Sequence, residues 1–293
     1  IIVLYIASLL IGVFSVVAQV ILPMAATLAQ ENRGKIVAQI FTGLLVGILV
    51  ARVFSGFITA YLGWQYVYLI SAAMVLGTSI LMKADLPTVA AQFTGNYGGL
   101  LKSTVHQLRR FTLLRRTALT GMLAFGTLSS FWVTLTFYLS DAPFHYAASS
   151  IGLFGLLAAA GALAAPIFGK LADKGKPSRS LLFSSTLTLL SIIILKLFPG
   201  QIAAIWATVI LMDVGIQATQ VTNIAIIYTL DEKANSRINT VYMTSYFIGG
   251  ALSSFVSIQL FNAGGWGYAT TFMMILAILT ILNVLTVNWR KPQ

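Results

Sequence analysis

Runs of about twenty apolar residues recur from one end of this chain to the other, and no other feature limits its fold so strongly. As a helix rising ~1.5 Å per residue, each run is long enough to cross the ~30 Å of hydrocarbon in a bilayer. Splitting the chain at charged or Gly/Pro/Asn-rich positions predicts nine spans: about 1–27, 36–61, 66–83, 115–140, 149–169, 180–197, 202–229, 239–261 and 268–288. A membrane barrel would instead need alternating strands of about ten residues. Only 9% of the 293 residues are charged and the mean hydropathy is +0.90. A soluble domain keeps roughly a quarter of its residues charged, so the expected fold class is an all-α membrane protein.

The formal net charge of +11 would point to nucleic acid in a soluble protein. Here the basic residues sit in alternate breaks between spans. One set holds Arg33 and Lys35, then Lys83 through Arg116, then Lys170 through Arg179, then Lys233 and Arg237, then Arg290 and Lys291. The breaks near Gly63, 141–148, Pro199 and 264–267 add only Lys196. By the positive-inside rule the basic breaks face the cytoplasm, which predicts an inner-membrane protein with a cytoplasmic C-terminus and no nucleic-acid partner. The longest break, 85–114, reads as a cytoplasmic linker between residues 1–84 and 115–293. There is no cysteine, and His106 and His145 lack ligand spacing, so neither a metal nor a cofactor is expected. Ile1 lies inside an apolar run, which reads as a truncation within a span.

An internal repeat is visible at an offset of 202 residues. Lys35-Ile36 meets Arg237-Ile238, Gly47 meets Gly249, Gly63-Trp64 meets Gly265-Trp266, and Tyr66 meets Tyr268. Small residues match as well: Gly43, Gly47, Ala51 and Ser55 against Ser245, Gly249, Ser253 and Ser257. Four-residue spacing puts each stripe on one helix face, where small side chains let a neighbouring helix come close; Gly43, Gly47, Gly249 and Gly250 are the packing candidates. The plainer alternative is chance similarity among apolar helices rich in Gly and Ala; if the match is a duplication, equal sidedness makes it a parallel repeat. Six spans in the second copy and three in the first predict that roughly 90 further residues precede Ile1.

Two stretches carry a family resemblance. Gly169-Lys170-Leu171-Ala172-Asp173-Lys174-Gly175-Lys176 is similar to the G-x-L-A-D-[RK]-x-G-[RK] loop of the major facilitator superfamily, one residue short. Arg237 to Thr244, running into Tyr246-Phe247-Ile248-Gly249-Gly250, is similar to its eleventh-helix signature. The chain thus resembles the fourth to twelfth helices of that fold, nine of twelve, in the drug/proton antiporter branch akin to arabinose-efflux permeases. It departs from that branch where Ile48, not proline, follows Gly47.

Two charges fall deep inside spans, Arg52 and Asp213. An intramembrane charge costs at least ~2.5 kcal/mol on insertion scales, so each needs a partner or a cavity. Their depths match, about 15 Å below the outer surface, which allows either a static salt bridge or a proton-coupling pair. Asp213, Gln217 and Gln220 share a helix face with Asn223 at its border, open to either a substrate or interhelical hydrogen bonds. The resemblance implies that the fourth, seventh and tenth helices line one chamber. That would bring together Gln19, Ser129, Ser130, Trp132, Thr136, Tyr138 and the Asp213 stripe, although Trp132 and Tyr138 also suit packing. It also implies that Gly169, Asp173, Lys174, Lys176 and Arg179 form a gating loop, the plainer alternative being an ordinary basic loop. Gly152, Gly155 and Gly161 would let helices close tightly.

The expected function is a monomeric secondary transporter that exports drug-like or sugar-like molecules by alternating access, with protons as the coupling ion. A membrane-embedded enzyme is the weaker reading, because no HExxH, GxSxG or paired-acid arrangement occurs. An inert fragment is the other alternative.

Overall fold

Helices form wherever apolar runs leave the backbone no water to bond with, because only a helix then satisfies every N–H and C=O within the segment. The structure, a computed structural model, describes residues 2–15, 21, 33–85, 96–158, 177–231 and 234–286. Among these, all regular structure is helical: α1 (Ile2–Phe14), α2 (Arg33–Tyr61), α3 (Trp64–Asp85), α4 (Tyr97–Arg110), α5 (Thr112–Ser140), α6 (Ala148–Leu157), α7 (Pro177–Leu197), α8 (Ile202–Ile227) and α9 (Asn235–Thr286). Five of them are long and apolar enough to cross a membrane: α3, α5, α7, α8 and α9.

At 52 residues, α9 is far too long for one crossing. It breaks at Gly264 and Gly265, the latter at φ +68°, into limbs 235–263 and 266–286. With that break, each of the nine expected spans carries a helix or part of one. Several helices begin two to four residues before the expected span, at 33, 64, 112, 177 and 235. Hydropathy marks the hydrocarbon, whereas a helix continues into the headgroup layer until its ends are capped.

The repeat has a structural counterpart. Gly63 ends the α2 turn at φ +100°, its N–H donating to the Ile58 carbonyl (3.1 Å), and α3 begins at Trp64. At the equivalent position in the second copy, Gly265 also has a positive φ and Trp266 opens the next limb. An L side chain at either site would be strained, so glycine is what lets the chain reverse there.

The chain divides into two units, residues 1–51 and 52–293. The first holds α1 and the start of α2; α1 is exposed along its length. In the second unit the most extensive interface joins α5 to α9. Glycines make it close: Gly121 faces the ring of Tyr242, and Gly126 faces Ser253. Gly249 lies against the Met122 backbone, and Gly250 against Phe125 and Ser129. Ser130 Oγ donates to the Ser253 carbonyl (3.0 Å). Farther along, Asn283 Nδ2 donates to the Arg116 carbonyl (2.9 Å) and Thr120 Oγ1 (2.8 Å), while Arg116 donates back to Asn283 Oδ1 (3.2 Å). A buried amide on a lipid-bound helix is thereby satisfied by the neighbouring helix.

The α7–α8 interface is a ladder of hydroxyls. Ser180 meets Thr222 and Ser184 meets Thr219, both at 2.8 Å, and Thr208 Oγ1 donates to the Ser191 carbonyl (2.9 Å). Ser180, Ser184, Thr188 and Ser191 stand at i, i+4, i+8 and i+11, one face of α7, so the spacing was there to be read in the sequence.

The expected linker 85–114 is not all loop. It contains α4, capped by Asn96, whose Oδ1 accepts from the Gly99 N–H at 2.7 Å. Arg110 then pairs with Asp231 at 2.6 Å.

Candidate functional site

Asp213 lies near the middle of α8 and is 4% exposed. Its Oδ2 is buried without a hydrogen-bond partner among the described residues. Arg52, on α2, interacts with it electrostatically but closes no ion pair among the described residues. The guanidinium instead lies on the face of Trp132 from α5, with Cζ 4.1 Å from the ring centroid. Such a cation–π contact is worth about 0.5–2 kcal/mol, the upper end where water is excluded. The indole Nε1 of Trp132 is also buried and without a partner among the described residues.

Arg52 reaches this position through a groove that glycines leave in α6. A Cβ at Gly155 would stand 2.8 Å from Arg52 Cβ and 3.1 Å from its Cδ, and one at Gly152 would stand 2.9 Å from the Arg52 carbonyl. Gly56, one turn along α2, faces the Ala148 carbonyl in the same way. The two helices therefore touch nearly backbone to backbone, with the arginine stem lying across Gly155. Arg52→Gln and Gly155→Ala are expected to be non-additive in thermal unfolding, since each removes the guanidinium from Trp132. Additive losses would show that Gly155 does not seat the arginine.

A second polar group adjoins the first along α8. Tyr246 OH donates to Gln220 Oε1 (3.3 Å), and Asn223 Nδ2 donates to Tyr242 OH (3.4 Å). Tyr246 stacks on Phe125 with centroids 4.1 Å apart, and its hydroxyl is within electrostatic range of Asp213. Gln220 and Asn223 are thus hydrogen-bonded to the first limb of α9 through two buried tyrosines. Both tyrosines fall in the stretch that carried the family resemblance, but spacing within α8 gave no sign that they would meet its polar face.

The remaining candidates do not gather at one place. Gln217 is half-buried on the α8 face, and Ser129 stands beside Gly250. Thr136 is exposed, with its hydroxyl donating to the Trp132 carbonyl (3.1 Å). Tyr138 lies at the far end of α5, stacked on Trp266 at 4.3 Å, and its hydroxyl accepts from the Gly200 N–H (3.1 Å). Arg179 is exposed in the first turn of α7. Gly43 and Gly47 are exposed on α2, whereas Gly249 and Gly250 are buried against α5. Gln19, Gly169, Asp173, Lys174 and Lys176 lie outside the described residues, as does Gly161. Among the described residues, no three His, Asp or Glu side chains cluster as metal ligands would.

Comparison with known proteins gives the chain relatives. Residues 1–254 match the family model of the Major Facilitator Superfamily. The chain is 36% identical over 280 residues to the uncharacterized transporter YgaY of Escherichia coli O157:H7, covering 95% of this chain and 70% of that protein. The K12 strain has a counterpart with the same identity and coverage. A protein described as a probable transporter of Streptomyces coelicolor is 28% identical over 255 residues, 86% of this chain and 59% of that relative.

Proposed function

Since this chain belongs to the Major Facilitator Superfamily, we propose that it exports small molecules by alternating access and draws the energy from protons through Asp213. It is a multi-pass membrane protein of a transporter family. The observation that carries the finer reading is a carboxylate in mid-span, 4% exposed, with one oxygen unpartnered among the described residues and an arginine close by. A charge so placed is costly, and transporters keep such groups where an ion must bind and leave.

Arg52 supplies the opposing charge. Because it rests on Trp132 and does not close an ion pair, the carboxylate is left an oxygen on which to take up and release a proton. Gln217, one turn from Asp213 on α8, is the nearest of the polar candidates for contact with a drug-like or sugar-like molecule. Helix rocking would change which side reaches this region, and the glycine contacts of α6 with Arg52 lie where such movement would be felt. In this reading the spans on either side of the 85–114 linker work together as a monomer. The alternating basic breaks support a bacterial inner-membrane setting with the C-terminus in the cytoplasm. The loop of Gly169, Asp173, Lys174, Lys176 and Arg179 would hold the cytoplasmic side closed.

The test is transport by the full-length protein in sealed vesicles, with ethidium and arabinose as probes, under an imposed pH gradient. Accumulation is expected to follow the gradient and to vanish when nigericin and valinomycin collapse it. Accumulation that survives the collapse would rule out proton coupling.

A further inference from the structure

α4 carries more surface than a connection between bundles uses. One face, with Leu100, Ser103, Thr104, Gln107 and Leu108, is half-buried to buried. Leu108 and the following Phe111 join the cluster around Leu114, Ile238 and Tyr242. The end of the helix is fixed: Arg115 donates to the Leu108 and Arg109 carbonyls (2.9 and 3.3 Å), and Arg110 pairs with Asp231.

The opposite face holds two parallel rows. Tyr97, Leu101 and Val105, at four-residue spacing, are 74%, 50% and 60% exposed. Beside them Lys102, His106 and Arg109 are exposed, and none forms an ion pair among the described residues. Water alone gives no reason to hold three large apolar side chains in line on an anchored helix. An apolar row flanked by basic side chains is the pattern of a helix lying in the interface of a membrane with anionic lipids. Position agrees, since Phe111 alone separates α4 from the membrane-spanning α5. The helix therefore sits where that span leaves the hydrocarbon.

We propose that this face of α4 docks on the anionic headgroups of the protein's own bilayer, in the leaflet that the basic breaks face. Tyr97, Leu101 and Val105 enter the interfacial layer, and Lys102 and Arg109 meet lipid phosphates. Charge complementarity and continuity with α5 favour the bilayer over a soluble protein as the occupant. The inference does not depend on cargo or coupling, so it stands or falls apart from the transport reading.

These 293 residues contain no cysteine, so Leu101→Cys, with any cysteine elsewhere in the full-length protein replaced by serine, gives a single site for an environment-sensitive fluorophore. The labelled protein is placed in vesicles of phosphatidylcholine, with or without phosphatidylglycerol, and quenched by spin-labelled lipid. The expected result is a blue shift and several-fold stronger quenching when phosphatidylglycerol is present, both lost in Lys102→Gln/Arg109→Gln. These substitutions are on the surface, and the same emission in detergent checks that the protein stays folded. Equal quenching in both vesicles would mean apolar anchoring without headgroup recognition, and absence of quenching would mean a water-facing helix. Strong quenching that survives the double substitution would show that the basic row is not the reader. Each of these three outcomes overturns the proposal.

Discussion

Asp213→Asn protein is expected to exchange cargo down its gradient but to lose the accumulation driven by a pH gradient. A gradient of one pH unit stores about 1.4 kcal/mol per proton, enough for roughly a tenfold concentration ratio of cargo at one proton per cycle. Asparagine keeps the size and hydrogen-bonding shape of the side chain but carries no proton that it can release. The accumulation ratio should therefore fall to one, while counterflow of labelled cargo persists. Counterflow is the control for folding, since a collapsed protein would show neither activity. Normal accumulation by Asp213→Asn would remove Asp213 from the coupling step. The charge exchange Arg52→Asp/Asp213→Arg adds a second reading: partial recovery over the single changes is expected if their electrostatic interaction matters to function.

Gly249→Ala is expected to cause the largest loss of stability from a single methyl group. The added Cβ would collide with the Met122 carbonyl oxygen and stand 2.7 Å from the Met122 carbonyl carbon and Cγ. Backbone cannot rotate aside as a side chain does, so α9 and α5 must separate over the interface that both helices share. Overpacking of this kind costs about 1–3 kcal/mol. It would be read as a drop of several degrees in thermal unfolding in detergent. Gly77→Ala is the matched control. Nothing lies within 4 Å of a Cβ at Gly77, and the residue is exposed on α3. There the same substitution should hold or slightly raise stability, because alanine is the better helix former by up to ~1 kcal/mol. Equal effects at the two glycines would show that α5 and α9 do not approach as closely as 249 requires.

The site was legible in part, and the boundary has a physical cause. Arg52 and Asp213 stand out in the sequence because a charge in an apolar run is conspicuous whatever the fold, and their matching depth follows from counting residues along two helices. What counting could not supply is rotation about each helix axis. Trp132 came forward as one aromatic among several, and only the crossing of α2 with α5 puts the guanidinium on its ring. Thr136 and Tyr138 share its helix, yet one is exposed and the other is stacked on Trp266. Tyr246 and Tyr242 lie 26 and 19 residues from their partners in α8, across the turn into the next helix. Gly152 and Gly155 were readable as small residues for close approach; that Gly155 seats the arginine stem depended on which helix came near.

By itself, the sequence determined that this chain is a multi-span helical membrane protein and where turns on glycine fall between its helices. These properties are local: a run of apolar residues must satisfy its own backbone bonds in hydrocarbon, and a turn that needs positive φ asks for glycine, as at Gly63 and Gly265. Only the tertiary structure decided which polar groups meet. The contact of Arg52 with Trp132, the tyrosine bridges to Gln220 and Asn223, and the hydroxyl ladder of α7 and α8 each join separate helices. Helix–helix partners in lipid are chosen by close packing, without a hydrophobic force to order them, and packing depends on crossing angle and rotation that helical periodicity leaves open.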